Sequence, residues 1–176
     1  MKKTILVVDD MRVFCDAIAA ALQAAGYSIL TAGNGVEALA TIRARRPDLV
    51  LLDLGMPVLD GLATLAILRN DAATRDLPVI LLTNLSDEEQ AAHAVAEGAQ
   101  DYLVKGRVDG QTLVRSIRYA IERHRLMTEL DRGRQEQLRI KDQFLSHVSH
   151  ELRSPLAVIH QFVTILLDRL AGELST

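Results

Sequence analysis

The first 125 residues alternate short apolar runs of strand length with longer stretches in which apolar residues recur every three or four positions. The short runs lack the alternation of a half-exposed sheet, so we expect both faces of each strand to be covered. Strands are predicted at residues 4–8, 27–31, 49–52, 79–83 and 101–104. Helices are predicted at about 11–25, 35–45, 61–70 and 87–97, and from Asp109 onward, with Gly26 and Gly98 as helix ends. The five strand–helix units predict an α/β fold, with a doubly wound five-stranded parallel sheet.

Composition narrows the class of protein. The chain has 176 residues, of which 49% are hydrophobic, so it can form one packed domain and a smaller appendage and is not a disordered protein. Its net charge of -3 gives no overall attraction for nucleic acid, and we expect no nucleic-acid partner. Cys15 is the only cysteine, which excludes an internal disulfide.

The sequence contains no candidate for a membrane span. No stretch approaches the roughly 20 uninterrupted apolar residues that a spanning helix needs. The apolar run before Asp9 is also too short for a signal peptide. We therefore expect a cytoplasmic protein.

Polar residues that could take part in catalysis or metal binding lie at the ends of four predicted strands. Asp9 and Asp10 follow the first strand, Asp53 the third, Thr83 ends the fourth, and Lys105 follows the fifth. Ligands of open parallel sheets bind at the carboxyl ends of the strands, so we expect these side chains to meet. Any one of them alone would be an ordinary helix cap or surface group. Three carboxylates together repel one another unless a cation intervenes, and Mg²⁺ is the natural hard cation for oxygen ligands.

The first 125 residues resemble a response-regulator receiver domain of the flavodoxin-like fold. The resemblance rests on the strand-end residues and on the run Asp53-Leu54-Gly55-Met56-Pro57-Val58-Leu59-Asp60-Gly61. It implies that Asp53 accepts a phosphoryl group and that Lys105 pairs with the phosphoryl oxygens. It also implies that Mg²⁺ is held by Asp9, Asp10, Asp53 and the carbonyl of Gly55.

The same resemblance implies a conformational switch. After phosphorylation the Thr83 hydroxyl would move towards the phosphoryl group, and the ring of Tyr102 would enter the space it leaves. The chain departs from the family pattern at Gly106, where a proline usually follows the lysine, and at Asn84, where the family usually has alanine or glycine. Gly55 and Leu85 bring no polar side chain that could orient a water, so we expect a long-lived aspartyl phosphate.

A polar segment follows at residues 126–142, and we expect the helix that begins near Asp109 to continue through it as a coiled-coil linker. From Leu138 onward, apolar residues recur in steps of three and four once positions 141 and 155 are allowed as gaps. Such an apolar seam requires a partner helix, which predicts a homodimer. The seam consists of Leu138, Leu145, Val148, Leu152, Ile159, Phe162 and Leu166.

Residues 144–156 contain the string Ser149-His150-Glu151-Leu152-Arg153-Ser154-Pro155-Leu156 and resemble the phosphoacceptor box of histidine kinases. His150 lies on the side of the helix opposite the seam. The resemblance implies that His150 is phosphorylated, with Glu151 acting on its ring as a general base. Ser154 would lie at the position that assists dephosphorylation. A bend is expected at Pro155, which removes a helical hydrogen bond.

The other histidines fit simpler interpretations. His93, His124 and His160 are expected to be surface residues. His147 and His150 could form a metal pair, but no further ligands lie nearby in sequence, so this alternative is disfavoured.

We expect three segments: a receiver domain at 1–125, the linker at 126–142, and the incomplete first helix of a dimerisation and phosphoacceptor domain at 143–176. The sequence ends where the hairpin of that domain would turn, so we expect this chain alone not to phosphorylate His150 with ATP.

The favoured hypothesis is a histidine kinase controlled by its receiver, with an upstream phosphodonor kinase or phosphotransfer protein and a downstream response regulator. One alternative is a stand-alone response regulator that dimerises or docks on a kinase through its C-terminal helix. The other is a relay between Asp53 and His150. Phosphoryl transfer between Asp53 and His150 of one chain is disfavoured, because the roughly 25 helical residues from Arg125 to His150 span roughly 37 Å.

Overall fold

A computed structural model describes residues 2–84 and 87–173, with side chains left undescribed at 88, 91, 154, 158 and 166–173. Leu85 and the side chains of Ser154 and Leu166 therefore lie outside the described residues. The chain divides into two compact units, Met1–Leu126 and Met127–Thr176.

The first unit is built on a five-stranded parallel sheet, as predicted. Its strands are β1 Thr4–Val8, β2 Ser28–Ala32, β3 Leu49–Asp53, β4 Val79–Thr83 and β5 Asp101–Val104. Their order across the sheet is β2-β1-β3-β4-β5. β3 and β4 are buried along their whole length, which explains their unbroken apolar sequences.

Two strands differ slightly from their predictions. β3 ends at Asp53, not at Leu52, and β2 covers Ser28–Ala32 instead of residues 27–31. The amide of Tyr27 donates a hydrogen bond to the carbonyl of Leu22, which closes the preceding turn, and the ladder then starts where Ser28 pairs with Thr4.

Five helices connect or follow the strands: α1 Arg12–Ala24, α2 Gly35–Arg45, α3 Gly61–Asn70, α4 Glu88–Ala96 and α5 Gly110–Glu173. Asn34 and Asp60 cap α2 and α3, accepting hydrogen bonds from Glu37 N at 3.0 Å and Ala63 N at 2.7 Å. Gly26 and Gly98, predicted as helix ends, have φ values of 94° and 112°, which glycine tolerates best.

Helices cover both faces of the sheet, which makes the fold doubly wound. On one face, α2, α3 and α4 contribute to a core with strand residues such as Leu6, Leu52 and Leu81. On the other face, α1 and the start of α5 pack on Ile5, Leu51 and Ile80. The sheet is thus a rigid platform whose carboxyl edge carries the polar residues.

The second unit contains the rest of α5, which runs through Pro155 and ends at Glu173. Its seam residues Leu138, Leu145, Leu152, Ile159 and Phe162 are all exposed, each by 50% or more. Val148 is half-buried. None of the described helices is long and apolar enough to cross a membrane.

The loop between β3 and α3 contains a strained residue. Val58 has a φ of 70° and is 85% exposed. Because the amide of Leu59 donates to the carbonyl of Pro57 at 2.8 Å, Val58 lies at the centre of a γ-turn of the rare form with positive φ. A β-branched residue is unfavourable in this region of conformational space.

We expect Val58→Gly to stabilise the protein by about 1 kcal/mol, because glycine adopts a positive φ without strain. Urea unfolding followed by circular dichroism measures the change. Val58→Ala is the control. Alanine keeps a Cβ atom, so this substitution should stabilise the protein much less than Val58→Gly does. Equal effects of the two substitutions would contradict strain at this residue.

Candidate functional site

The parallel register brings the predicted site residues to one edge of the sheet. β1 pairs with β3 so that Val8 lies opposite Leu52, and β3 pairs with β4 so that Asp53 lies opposite Leu82. The residues at the carboxyl ends of these strands are therefore neighbours. Asp9, Asp53 and Thr83 are buried there, with 2%, 2% and 1% of their surface exposed.

Three carboxylates form a compact cluster at this edge. Asp9, Asp10 and Asp53 each offer an oxygen atom, and these atoms lie within 4.8 Å of one another. Asp9 Oδ1 accepts a hydrogen bond from Met11 N at 2.9 Å, which fixes the orientation of the carboxylate. Asp10 is exposed and gives the cluster its opening to solvent.

Lys105 holds the two buried carboxylates together. Its Nζ lies 2.6 Å from Asp9 Oδ2 and 2.9 Å from Asp53 Oδ1, and its side chain is only 11% exposed. Lys105 Nζ is the charged partner of both carboxylate oxygens, and no other hydrogen-bond donor reaches either atom.

The buried charges change the pKa values of Asp53 and Lys105. Burial raises the pKa of Asp53 above its ordinary value, Lys105 counteracts part of this rise, and the charges of Asp9 and Asp10 add to it. Burial alone would lower the pKa of Lys105, but its contacts with Asp9 and Asp53 outweigh burial and raise that pKa. The cluster therefore has an excess of negative charge that one ammonium does not neutralise.

The donor set fits a hard divalent cation. All candidate ligands of the cluster are carboxylate oxygens, and Asp9 Oδ2 and Asp53 Oδ1 are buried without a hydrogen bond. Gly55, the fourth predicted ligand, is exposed in the loop two residues after Asp53. Among the described residues this is the one group of three or more potential ligands, and the pair His147 and His150 belongs to no such group.

Thr83 and Tyr102 lie on the same face of the sheet. Thr83 pairs with Val104, and Leu81, two residues before Thr83, pairs with Tyr102. The Thr83 hydroxyl donates to the backbone carbonyl of Asn84 at 3.1 Å, while the half-buried Tyr102 packs against the core. The two predicted switch residues are thus diagonal neighbours on adjacent strands, and their roles stay predictions.

Sequence reasoning missed one neighbour of the site. The Phe14 ring, in the first turn of α1, lies with its centroid 4.8 Å from Lys105 Nζ, within range of a cation–π interaction. The only signal in the sequence was the position of Phe14, five residues after Asp9 and in the first turn of the helix, which places it near the carboxyl edge of the sheet.

His150 and Glu151 are both exposed on α5 within the second unit. Glu151 Oε1 lies 3.2 Å from Nε2 of His147, one helical turn earlier. The structure gives the Glu151 carboxylate this contact with His147, and its action on the ring of His150 stays a prediction. An exposed pair of this kind is weak and leaves Glu151 free to exchange partners.

Comparison with known proteins identifies the first unit. A family model described as the response regulator receiver domain matches residues 5–118, well over half of the chain. The chain belongs to the response regulator receiver family. A second model, the His Kinase A (phospho-acceptor) domain, matches residues 140–176. A receiver followed by a His Kinase A segment places the protein in two-component signalling and suggests a parent protein of the histidine kinase type.

Individual relatives agree with this family. The phosphate regulon transcriptional regulatory protein PhoB of Pseudomonas aeruginosa is 42% identical over 103 residues, covering 58% of this chain and 45% of that protein. The probable transcriptional regulatory protein TcrX of Mycobacterium tuberculosis is 37% identical over 149 residues, which cover 85% of this chain and 61% of that protein. The receiver chain thus spans less than two thirds of either relative. A receiver domain protein from Clostridium thermocellum has a similar structure, with a TM-score of 0.66 and 34% identity over 71% of this chain and 98% of that one.

We expect Asp53→Asn to raise the thermal midpoint of the receiver in the absence of Mg²⁺ by about 2–4 °C, the shift that 1 kcal/mol produces in a protein of this size. A carboxyl group whose pKa is raised by folding destabilises the fold at neutral pH through its charge. The gain should therefore shrink as the pH falls through the raised pKa of Asp53. Scanning calorimetry at several pH values measures it.

Mg²⁺ should raise the midpoint of the wild type and have much less effect on Asp53→Asn, because binding to the folded state stabilises it. Asp60→Asn is the matched control: Asp60 Oδ1 caps α3, and asparagine keeps that acceptor. An equal Mg²⁺ response in the Asp53→Asn variant would remove Asp53 from the cation site.

Proposed function

We propose that Asp53 accepts a phosphoryl group in a Mg²⁺-dependent reaction and that this modification controls, through α5, a histidine kinase module with His150 as its phosphoacceptor. The observation that carries the first half is the cluster of Asp9, Asp10 and Asp53 around the ammonium of Lys105. The second half is supported by the His Kinase A match and by the exposure of His150.

The chemistry assigns a role to each residue of the cluster. An oxygen of the Asp53 carboxylate attacks phosphorus, an O–P bond forms, and the N–P bond of a phosphohistidine donor breaks, with the leaving imidazole taking a proton from solvent. Lys105 stabilises negative charge on the phosphoryl oxygens. Asp9 and Asp10 would hold Mg²⁺ with Asp53 and the Gly55 carbonyl, and the metal would supply further charge neutralisation.

The signal then leaves the site through Thr83 and Tyr102. In the unmodified protein the Thr83 hydroxyl is occupied by the Asn84 carbonyl. A phosphoryl group offers a stronger, charged acceptor, so the hydroxyl turns towards it and opens space for the half-buried Tyr102 ring. β5, which carries Tyr102, is followed directly by the turn into α5.

The output side requires a second helix beside α5. We propose a homodimer through the seam, since five of its apolar side chains, those of Leu138, Leu145, Leu152, Ile159 and Phe162, are each exposed by 50% or more. The segments of the proposed protein are a receiver at 1–125, a linker at 126–142 and the phosphoacceptor helix at 143–176. We further propose a cytoplasmic location, an upstream kinase or phosphotransfer protein as phosphodonor, and a downstream response regulator as the acceptor from His150.

Acetyl phosphate with Mg²⁺ should label Asp53 in the wild type and in Asp60→Asn but not in Asp53→Asn, as measured by intact-protein mass spectrometry. The aspartyl phosphate should persist for minutes or longer, because Gly55 offers no side chain to orient an attacking water. Labelling of Asp53→Asn at the wild-type level would overturn the acceptor assignment. Loss of the phosphate within seconds would overturn only the expected lifetime.

A purified ATP-binding domain of a histidine kinase, supplied in trans with ATP, should label His150. The label should disappear in His150→Gln and remain in His147→Gln, the matched control one turn away. A folded, dimeric protein that takes up no label would favour the alternative supported by the names of the relatives, a stand-alone response regulator whose helix dimerises or docks on a kinase.

A further inference from the structure

The backbone around Lys105 gives its side chain little restraint. Lys105 N donates to the carbonyl of Thr83 at 2.9 Å, which fixes the Cα position at the end of the sheet. The next residue is Gly106, and a Cβ atom placed there would have no neighbour within 4 Å, so the turn is loosely packed at this position. The placement of the ammonium therefore depends on what its long side chain touches.

The side chain of Lys105 borders a cavity. A cavity of about 200 Å³ lies between α1, the sheet and the start of α5, lined by Phe14, Ile18, Leu82, Leu103, Lys105 and Leu113 among others. The lysine stem borders this cavity, so alternative rotamers have room to form. Phe14 forms the wall nearest the ammonium, at 4.8 Å from the ring centroid to Nζ.

The present partners of Lys105 are also the candidate ligands of Mg²⁺. The ammonium contacts Asp9 Oδ2 and Asp53 Oδ1, and both residues belong to the group of three carboxylates that could hold a cation. A divalent cation there would repel the ammonium and compete with it for the two carboxylates. Lys105 then needs another favourable place from which it can still reach a phosphoryl oxygen on Asp53.

We propose that Phe14 is a positioning residue whose ring face holds the ammonium of Lys105 beside Asp53 while the metal and the phosphodonor occupy the site. The proposal rests on the proposed phosphoacceptor function of Asp53. The face of an aromatic ring attracts a cation most strongly where water is excluded, and Lys105 is only 11% exposed. The ring also offers no carboxylate that would compete with the phosphoryl group for the ammonium.

A purely structural role for Phe14 makes a different prediction. Phe14 is half-buried and packs against the core on the α1 side of the sheet, so its removal could act through packing alone. Fluorine substitution on the ring separates the two roles. It weakens the negative charge of the ring face step by step while it leaves the shape of the side chain nearly unchanged.

The experiment introduces phenylalanine with one, two or three fluorine atoms at position 14 of the full chain. The measured quantity is the maximal rate of Asp53 phosphorylation by acetyl phosphate at saturating Mg²⁺. We expect the rate to fall with each fluorine, and Phe14→Leu to be about threefold to thirtyfold slower than the wild type. Phe14→Tyr should retain the wild-type rate, and all rates are measured at saturating Mg²⁺ so that a change in Mg²⁺ affinity does not enter the comparison.

Two controls make the result decisive. Ile18→Val removes one methyl group from the wall of the same cavity and keeps the aromatic ring, so it should leave the rate unchanged. Isotope labelling of Lys105 should show the ring-current shift of its Cε protons in the wild type and its loss in Phe14→Leu. Equal rates across the fluorinated series would overturn the proposal.

The failure of the proposed function would look different. A wild-type chain that takes up no phosphoryl group on Asp53 would overturn the acceptor assignment, while the Lys105 resonances would still decide whether the ring holds the ammonium. Unshifted Cε protons in the wild type, with Mg²⁺ present, would contradict the positioning role.

Discussion

The constraint on which the site depends is the burial of two carboxylates beside one ammonium. Asp9 and Asp53 are almost fully removed from water, and Lys105 contacts both. Removing a charge from water is costly, and one ammonium cannot compensate two buried carboxylates and the adjacent Asp10. The carboxylates of the cluster therefore repel one another. In the proposed function a divalent cation would relieve this repulsion, and a transferred phosphoryl group would change it again.

The fold tolerates this charge because everything beneath it is apolar and rigid. β3 and β4 are buried from end to end, and helices cover both faces of the sheet. A rigid platform fixes the positions of the strand ends, so the carboxylates cannot move apart to reduce their repulsion. In the proposed switch, the residues that respond are those at the edge, namely Thr83, Tyr102 and the stem of Lys105. A small change of charge at the edge would then be converted into rearrangement of a few side chains.

The sequence was sufficient for the sheet and for the convergence of the strand-end residues. Both follow from the period of apolar residues and from the rule that parallel strands share a carboxyl edge. Val58 and Phe14 were not predicted as special residues. The γ-turn at Val58 is set by how the loop must connect Asp53 to α3, and a valine gives no local signal for a positive φ. The contact of Phe14 with Lys105 depends on the rotamers of both side chains, which sequence periodicity does not encode. The contact of Glu151 with His147, in contrast, follows from helix periodicity, because residues four apart on a helix face each other and adjacent residues do not.

The two phosphoryl acceptors of the proposed protein occupy opposite environments, and chemistry explains the difference. A carboxylate is a weak nucleophile and its phosphate is a reactive anhydride, so Asp53 needs surrounding cations during transfer and shelter from water afterwards. Lys105 supplies one cation at the sheet edge, and burial of Asp53 excludes water. A neutral imidazole needs no metal to neutralise it, but it must be reached in turn by an ATP-binding domain and by a receiver. An exposed position on one face of a long helix serves this purpose, with the apolar seam on the opposite side available for a partner helix. The receiver site is therefore built by the tertiary fold, whereas the histidine site is built by helix geometry alone and depends on assembly for its activity.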